Sequence, residues 1–415
     1  MSTRSQSESP VDAPQQGATN GQSASDIHLS GDELLLSADS DIAPTLSVVM
    51  PTLNEEGGIA QCIEWVKAAL EDMQIYGEVV VADSSTDRTP EIAAENGAIV
   101  IEPDGKGYGY AYLYAFERVR GDYIAMGDAD CTYDFEELPK LLNMVRSGDA
   151  DMAMGSRLEG EILPGSMPPL HEHVGNPLLT KFLNVFYGAG VSDAHSGMRV
   201  FSRDAWETMD CSSTGMEFAS EMIMEAGAKD LEIKEKPITY HPREGEANLE
   251  SFPDGWRHVR FMLVNAPGYL FSAPGFGLSV IGVLALVLAW SGVELGGAQF
   301  GIHTGIGGGL LTLAGFQLML FGAFSTVSSD PVRGASDPFT TWFTERISLE
   351  RGATIGSVVL LCGLAYGGFL AVTWVTSGFS ALPIAVADVV ATVAVVIGLQ
   401  MVFGSFLLGS VKKSV

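Results

Sequence analysis

Basic residues are scarce in this sequence. It has 23 Lys and Arg against 51 Asp and Glu in 415 residues, which gives a formal net charge of −28. A chain this acidic repels the phosphate backbone of nucleic acids, so we do not expect a nucleic-acid-binding protein. An excess of carboxylates with little lysine is typical of proteins that work in concentrated salt, and it predicts an archaeal halophile as the source.

Cysteines are also few. The four of them, Cys62, Cys131, Cys211 and Cys362, are scattered and form no metal-ligand pairs. This spacing argues against a disulfide framework and against a zinc site. Residues 1–44 are rich in Ser, Gln, Asp and Ala and lack the apolar core of a signal peptide, so we expect a disordered, solvated tail.

Four long stretches near the carboxyl end contain almost no charged residues. They span about 270–290, 304–327, 353–376 and 384–408. Each has the roughly 20 residues that a helix needs to cross a bilayer. Buried core helices are the alternative, but they rarely run this long without charges. The sequence therefore predicts four transmembrane helices within residues 270–415.

The basic residues near these stretches lie on alternate connections. Arg333, Arg346 and Arg351 lie between the second and third stretches, and Lys412 and Lys413 follow the fourth. The other two connections have neither Lys nor Arg. Since Lys and Arg concentrate on the cytoplasmic side, we expect a multi-pass protein of the cell membrane whose amino-terminal domain is cytoplasmic.

Short β-branched runs alternate with amphipathic segments before the apolar stretches. The predicted strands are Leu46–Met50, Glu78–Ala82, Ala98–Ile101, Tyr123–Met126, Asp151–Met154 and, later, Leu231–Tyr240. The predicted helices are Gly57–Met73, Pro90–Asn96, Tyr108–Arg120 and Phe135–Arg146. This alternation predicts an α/β domain over residues 45–252, Rossmann-like with a mostly parallel sheet, whose ligands bind beyond the carboxyl ends of the strands.

Aromatic and basic residues occur together just before the first apolar stretch. The segment 253–269 contains Trp256, Arg257, His258, Arg260 and Phe261. This mixture suits an amphipathic helix in the lipid headgroup layer, although a plain linker helix is the alternative. Pro177–Tyr187 is apolar on one side and is a second candidate for a membrane-facing helix.

Two aspartates follow the strand that ends at Met126. In Asp128-Ala129-Asp130 the acids are two residues apart, so both side chains point the same way from an extended chain. Converging carboxylates repel unless a cation lies between them, and Mg²⁺ or Mn²⁺ prefers oxygen ligands that it can share with phosphates. Solvated loops also produce this triplet, but its position after a strand favours a metal site at Asp128 and Asp130.

Polar residues follow the first three strands as well. Pro51 and the polar residues Thr52, Asn54 and Glu55 follow the first strand. Asp83 and Asp87 follow the second strand, and Lys106 follows the third. A helix amino terminus after the first strand offers N–H groups to a phosphate. A short acid accepts from a base or a ribose hydroxyl, and Lys106 can approach a diphosphate. Turn and capping chemistry explains each of them equally well when it is taken singly.

In this order the four segments resemble the family 2 glycosyltransferases with the GT-A fold, over residues 46–245. The chain also resembles the polyprenyl-phosphate branch of that family, the dolichyl-phosphate mannose synthases and glucosyltransferases. Asp193–Arg199 is similar to the Asp-x-x-Ser-Gly-Phe-Arg segment of that branch, and residues 245–249 stand where the branch has Gly-x-Ser-Lys-Leu. The helix at 253–269 and the four spans follow as in its multi-span members.

The resemblance implies inverting transfer of one hexose from a nucleotide sugar to a polyprenyl or dolichyl phosphate, with Mg²⁺ or Mn²⁺. The expected nucleotide-sugar site is Pro51, Thr52, Asn54, Glu55, Asp83, Asp87, Lys106, Asp128, Ala129 and Asp130. The expected lipid-phosphate site is Arg157, Ser196, Arg199 and Arg243, because arginine presents a planar fork to phosphate oxygens. Asp128, Asp130 and Arg199 are the expected catalytic residues.

The chain departs from the branch at three positions. Ala82 replaces the first of two consecutive acids in the nucleotide loop, and Asn248 stands where Lys is common. Thr132 replaces a Gln that is frequent in the mannose enzymes, so a UDP-hexose such as UDP-glucose is at least as good a donor candidate as GDP-mannose. The absence of Gln-x-x-Arg-Trp argues against a processive polysaccharide synthase.

Two other functions remain open at this point. A transferase acting on a protein or another glycan would use the four spans only as an anchor. A transporter with a nucleotide-binding domain would need paired charges within its spans, and these stretches hold almost none. The sequence is compatible with either a monomer or a homo-oligomer.

Overall fold

Seven strands form one mixed sheet in the computed structural model, which describes residues 28–245, 251–295, 297–328, 340 and 349–411. The strands are β1 (Leu46–Thr52), β2 (Gly77–Asp83), β3 (Ile99–Ile101), β4 (Tyr123–Met126), β5 (Met152–Ile162), β6 (Arg199–Ser202) and β7 (Ile233–Tyr240). Their order across the sheet is β3-β2-β1-β4-β6-β5-β7. The expected mostly parallel α/β sheet is therefore confirmed.

Strand direction decides where the polar segments meet. β1 pairs in parallel with β2 and β4. β6 lies antiparallel between β4 and β5, so β5 again runs in the direction of β4. The carboxyl ends of β1, β2, β4 and β5 therefore share one edge of the sheet. Because β6 is reversed, its first residue and the loop that precedes it lie at that same edge.

Helices cover both faces of the sheet. They are α1 (Gly31–Leu34), α2 (Ile59–Met73), α3 (Thr89–Glu95), α4 (Tyr108–Phe116), α5 (Leu138–Arg146), α6 (Asn176–Tyr187), α7 (Arg203–Thr208), α8 (Phe218–Ala228) and α9 (Ser251–Val264). Side chains alternate along each strand. Val48 therefore packs into the core beneath α2 and α5, and Val49 into the core beneath α4, α6 and α8.

The folded domain begins before the predicted boundary at residue 45. Leu34 and Leu36 are buried against it. Leu36 N donates to Gly77 O at 2.8 Å, and Asp32 pairs with Lys67 at 2.8 Å. Two buried leucines are enough apolar surface to hold this short segment against α2. Residues 1–27 of the predicted tail lie outside the described residues.

Some element boundaries differ from the sequence prediction. β5 continues to Ile162, well past the predicted end at Met154. β6 was not predicted at all. α9 ends at Val264 and not near residue 269, and a separate helical turn begins at Gly268. Pro267 explains the break, since proline lacks the N–H that an α-helix needs there.

Four further helices are long and apolar enough to cross a membrane. They contain α10 (Ala273–Ser291), α11 (Ile302–Ser328), α12 (Leu349–Thr376) and α13 (Val386–Val411). A short hairpin of β8 (Glu294–Leu295) and β9 (Ala298–Gln299) joins the first two. The four predicted spans agree with these helices. Of the basic residues used to predict orientation, only Arg351 lies within the described part of the chain.

Candidate active site

A hydrogen-bonded network joins the ends of β1 and β2. Thr52 Oγ1 donates to Asp83 Oδ1 at 2.7 Å, and Ser85 Oγ donates to the same oxygen at 2.6 Å. Asn54 has a positive φ of 60° and donates its N–H to Ser85 Oγ at 2.8 Å. Pro51 is the penultimate residue of β1. These contacts hold the predicted nucleotide residues in one fixed turn at the edge of the sheet.

The loop that leads into α2 is tied to the same turn. Glu55 N donates to Thr89 Oγ1 at 2.9 Å, and Thr89 Oγ1 donates to Asp87 Oδ1 at 2.5 Å. The first turn of α2 then approaches the aspartate triplet: a Cβ on Gly58 would lie 2.7 Å from Ala129 O. A glycine is needed for this close approach, which brings the positive end of α2 beside the two aspartates.

Asp128 and Asp130 have different partners. Tyr108 Oη donates to Asp128 Oδ1 at 3.0 Å. Asp130 Oδ1 accepts from Thr132 N at 3.0 Å and from Thr132 Oγ1 at 2.5 Å, and Asp130 is buried. Thr132, where mannose enzymes often have Gln, therefore fixes the rotamer of the second aspartate.

Arg243 bridges two of the acids. Its Nη1 lies 3.2 Å from Asp130 Oδ2, and its Nη2 donates to Glu55 Oε1. Glu55 Oε2 is buried and has no hydrogen-bond partner in the part of the chain described. Burial raises the pKa of Glu55 to about 7, against the opposing charge of Arg243. Burial and the charge of Asp130 raise the pKa of Asp128 to about 6. The edge therefore holds more negative charge than one arginine can offset.

This charge excess fits a divalent cation. Within the described ranges, no group of three or more His, Cys, Asp or Glu side chains is arranged to hold a metal by itself. Mg²⁺ is usually bound through only one or two carboxylates, with substrate phosphates completing its coordination. Asp128, Asp130 and the unpartnered oxygen of Glu55 suit that kind of shared site.

The predicted lipid-phosphate residues fall into two groups. Arg157 is buried and forms a fork with Asp193, with Nε–Oδ2 at 2.7 Å and Nη2–Oδ1 at 2.9 Å. Ser196 is fully buried, and its Oγ has no partner among the described residues. Arg157 lies on β5 and contacts the loop before β6, and Ser196 belongs to that loop. Arg243 lies apart from them, with Glu55 and Asp130.

Arg199 does not fit direct contact with a phosphate. It is 0% exposed, and its guanidinium donates to three backbone carbonyls, Ser196 O at 3.1 Å, Ala194 O at 3.1 Å and Ala219 O at 2.8 Å. Arg199 is the first residue of β6, where it pairs with Met126 of β4 and Met154 of β5, and that strand was not predicted. Arg199 thus shapes the loop between Asp193 and Gly197 and acts through that loop.

The two sides of the site touch at Gly197. A Cβ on this glycine would lie 3.0 Å from Asp128 Oδ2, and Gly197 N donates to Tyr133 Oη at 2.7 Å. Tyr108 and Tyr133 were missed by the sequence prediction because nothing in their local sequence marks them. Lys106 is exposed and makes no hydrogen bond or ion pair with other described residues, so the structure does not join it to the site.

Comparison with known proteins identifies the family. The family model described as Glycosyl transferase family 2 matches residues 47–209, and that of the Glycosyltransferase family 2 C-terminal transmembrane region matches residues 331–412. The Low-salt glycan biosynthesis hexosyltransferase Agl6 of Haloferax volcanii is 99% identical over 413 residues, covering 100% of both chains. The chain belongs to glycosyltransferase family 2. As a family 2 glycosyltransferase it is an enzyme with the GT-A fold, as predicted.

Other relatives of this glycosyltransferase are more distant. Glycosyltransferase AglJ of Haloferax volcanii is 30% identical, covering 67% of this chain and 91% of its own. The Dolichyl-phosphate hexose transferase of the same organism is 34% identical, covering 51% of this chain and 89% of its own. Among solved structures, a Mycobacterium tuberculosis glucosyl-3-phosphoglycerate synthase complex with Mn²⁺ and UDP has 24% identity, a TM-score of 0.43 and coverage of 54% of this chain and 80% of that chain.

Proposed function

We propose that this family 2 hexosyltransferase transfers a single hexose from a UDP-hexose or GDP-mannose type donor to a polyprenyl or dolichyl phosphate, with inversion at the sugar. The contact between Gly197 and Asp128 carries the proposal, because it sets the acceptor motif beside the donor acids. The similarity to a Dolichyl-phosphate hexose transferase supports the acceptor class.

The donor side is assigned from its polar network. Thr52, Asn54 and Asp83 would contact the base and ribose, and the amino terminus of α2 would face the diphosphate. Asp128 and Asp130 would hold Mg²⁺ or Mn²⁺. When bound, such an ion neutralises the charge that develops on the departing nucleoside diphosphate. Tyr108 and Thr132 keep the two carboxylates in place.

The acceptor needs positioning more than activation. A phosphate monoester is largely a dianion at neutral pH, since its second pKa is about 6, and it can attack without a protein base. Arg157, held by Asp193, and the unpartnered hydroxyl of Ser196 would bind it. Arg199 would hold the loop that carries Ser196 in shape. Bringing two anions together in line is then the main task of these residues.

Two helices of the α/β domain and the four spans determine how the enzyme would meet the membrane. α9 and α6 would lie in the cytoplasmic headgroup layer, with the four spans holding the domain against the lipid that carries the acceptor. Leu178 and Val185 on α6 and Trp256 on α9 are exposed apolar residues that suit this position. The enzyme would therefore meet its acceptor at the inner leaflet.

Lipid extraction tests the proposal. Membranes containing the enzyme are incubated with radiolabelled UDP-glucose, other UDP-hexoses or GDP-mannose and Mn²⁺, and the organic phase is treated with mild acid. We expect one donor to give an acid-labile lipid product, and Asp130→Asn to reduce it by about 100-fold or more. Asp149→Asn, an exposed acid beyond α5, is the control. Label found only on protein or soluble glycan would refute the acceptor assignment.

A further inference from the structure

Three polar side chains from three elements meet behind the acceptor loop. Ser220 of α8 lies between His195, in the loop before β6, and His258 of α9. Ser220 Oγ is 2.9 Å from His258 Nδ1 and 3.4 Å from His195 Nε2. The two imidazole rings are 5.0 Å apart and perpendicular, at 88°. Ser220 is fully buried and His258 nearly so.

His195 has an unused ring nitrogen. Its Nδ1 is buried and has no hydrogen-bond partner among the described residues, and the same is true of the hydroxyl of the next residue, Ser196. An unpaired buried polar group is destabilising, so two neighbours in one loop point to a ligand that completes them. Asp193, Arg157 and Arg199 all lie close enough to act on the charge of His195. Two guanidinium groups against one carboxylate leave an excess of positive charge, which favours an anionic ligand.

The ring of His195 is neutral near physiological pH. Burial and, next to it, the charge of the neighbouring His258 lower its pKa to about 3. A neutral imidazole has one N–H donor and one acceptor nitrogen. If His258 Nδ1–H donates to Ser220, the serine proton is free to donate to His195 Nε2. The proton of His195 then lies on Nδ1, the nitrogen without a protein partner.

We infer that His195 is a further binding residue for the acceptor, and that Ser220 and His258 fix its tautomer so that Nδ1–H donates to a phosphate oxygen of the polyprenyl phosphate. The inference rests on the proposed function. It adds a neutral donor to Ser196 and Arg157 at the acceptor end of the site. It also connects that end to α9, the last helix before the membrane spans.

A pair of amide substitutions tests the tautomer. The amide nitrogen of asparagine can take the place of Nδ1, whereas that of glutamine falls near Nε2. We expect His195→Gln to raise the KM for polyprenyl phosphate about tenfold, the loss of one hydrogen bond to an anion. The KM of His195→Asn for polyprenyl phosphate should stay within about threefold of wild type. The KM of Ser220→Ala should lie between those of the two His195 variants. The KM for the nucleotide sugar should stay unchanged in all three.

Binding is measured separately from transfer. Titration of the detergent-solubilised enzyme with a short polyprenyl monophosphate should show the same order of affinities, whichever sugar is transferred. Equal losses for the asparagine and glutamine variants would overturn the tautomer assignment. Weaker binding of the nucleoside diphosphate in place of the lipid phosphate would assign His195 to the donor and overturn the inference. Wild-type enzyme that binds the lipid phosphate as predicted but forms no labelled lipid would instead refute the proposed function alone.

Discussion

Arg243 occupies an unusual position for a substrate-binding arginine. It pairs with Asp130 and Glu55, two of the acids expected to lie around a metal ion. A guanidinium between these carboxylates reduces the repulsion between them, as a divalent ion would. Metal and arginine should therefore compete for Asp130, and a released Arg243 can turn to the phosphates of the substrates.

Replacing this arginine should make the metal bind more tightly. For Arg243→Gln we expect Mn²⁺ affinity without nucleotide to rise about fivefold, because a partly buried ion pair of about 1 kcal/mol no longer competes. Calorimetric titration of the solubilised enzyme measures this. Arg146→Gln, exposed at the end of α5, is the matched control. Unchanged or weaker Mn²⁺ binding would show that Arg243 does not compete with the metal.

A sequence pattern marked some single residues for the same edge of the sheet. Thr52, Asp83, Asp128 and Asp130 were found from their places after strands, and the structure brings them to one edge. Arg199 was expected at a phosphate from its motif, but its partners are the backbone carbonyls of Ala194 and Ser196 in the preceding loop and of Ala219 on α8. Contacts of this kind, like those of Tyr133 with Gly197, depend on the chain path and leave no local signal.

At the scale of elements, α10 and α11 pack through glycines. A Cβ on Gly308 would lie 2.7 Å from Gly282 O, and one on Gly282 would lie 2.6 Å from Gly308 O. Helices in lipid gain little from the hydrophobic effect, so close backbone contact at small residues supplies much of their association. Gly307, next to Gly308, has no atom within 4 Å of its Cβ position.

Neighbouring glycines of α11 should therefore respond differently to valine. Gly308→Val would push the two helices apart, at a cost of about 1–3 kcal/mol, and should lower the melting temperature in detergent by about 5 °C. Gly307→Val should change the melting temperature by no more than about 1 °C, since the valine side chain would face open space. Thermal unfolding followed by intrinsic fluorescence compares them. Similar losses for both variants would contradict this packing.

Elements with a clear hydrophobic pattern were predicted from the sequence, whereas a strand held only by its pairing with neighbouring strands was not. β1, β2 and β4 are short β-branched runs bounded by turn residues, and the four spans are long and apolar. β6 has only four residues and is held in the sheet by β4 and β5 on either side.

The whole molecule carries a net charge of −28. Residues before 270 account for −27 of this net charge, because Asp and Glu far outnumber Lys and Arg there. Mutual repulsion of that size opposes a compact fold unless salt screens it. The expected halophilic source agrees with the 99% identical relative from Haloferax volcanii.

Stability should accordingly depend on salt. We expect the melting temperature to rise steadily from 0.2 M to 2 M KCl, because the screening length falls from roughly 7 Å to about 2 Å. Sucrose at equal osmolality does not screen charge and should raise the melting temperature much less. Differential scanning fluorimetry of the solubilised enzyme provides the comparison. Equal stabilisation by sugar and salt would exclude charge screening as the cause.

α9, which we propose lies in the headgroup layer, also completes one of the two cores of the α/β domain. Met262 of α9 is 0% exposed and packs with Leu183 and Met222, and its carbonyl accepts from Tyr187 Oη at 3.1 Å. A fragment that stops short of α9 would lose Met262 from one of the two cores. The side chains that pack against it would then be exposed to water. Any water-soluble version of this enzyme must therefore be cut beyond Val264.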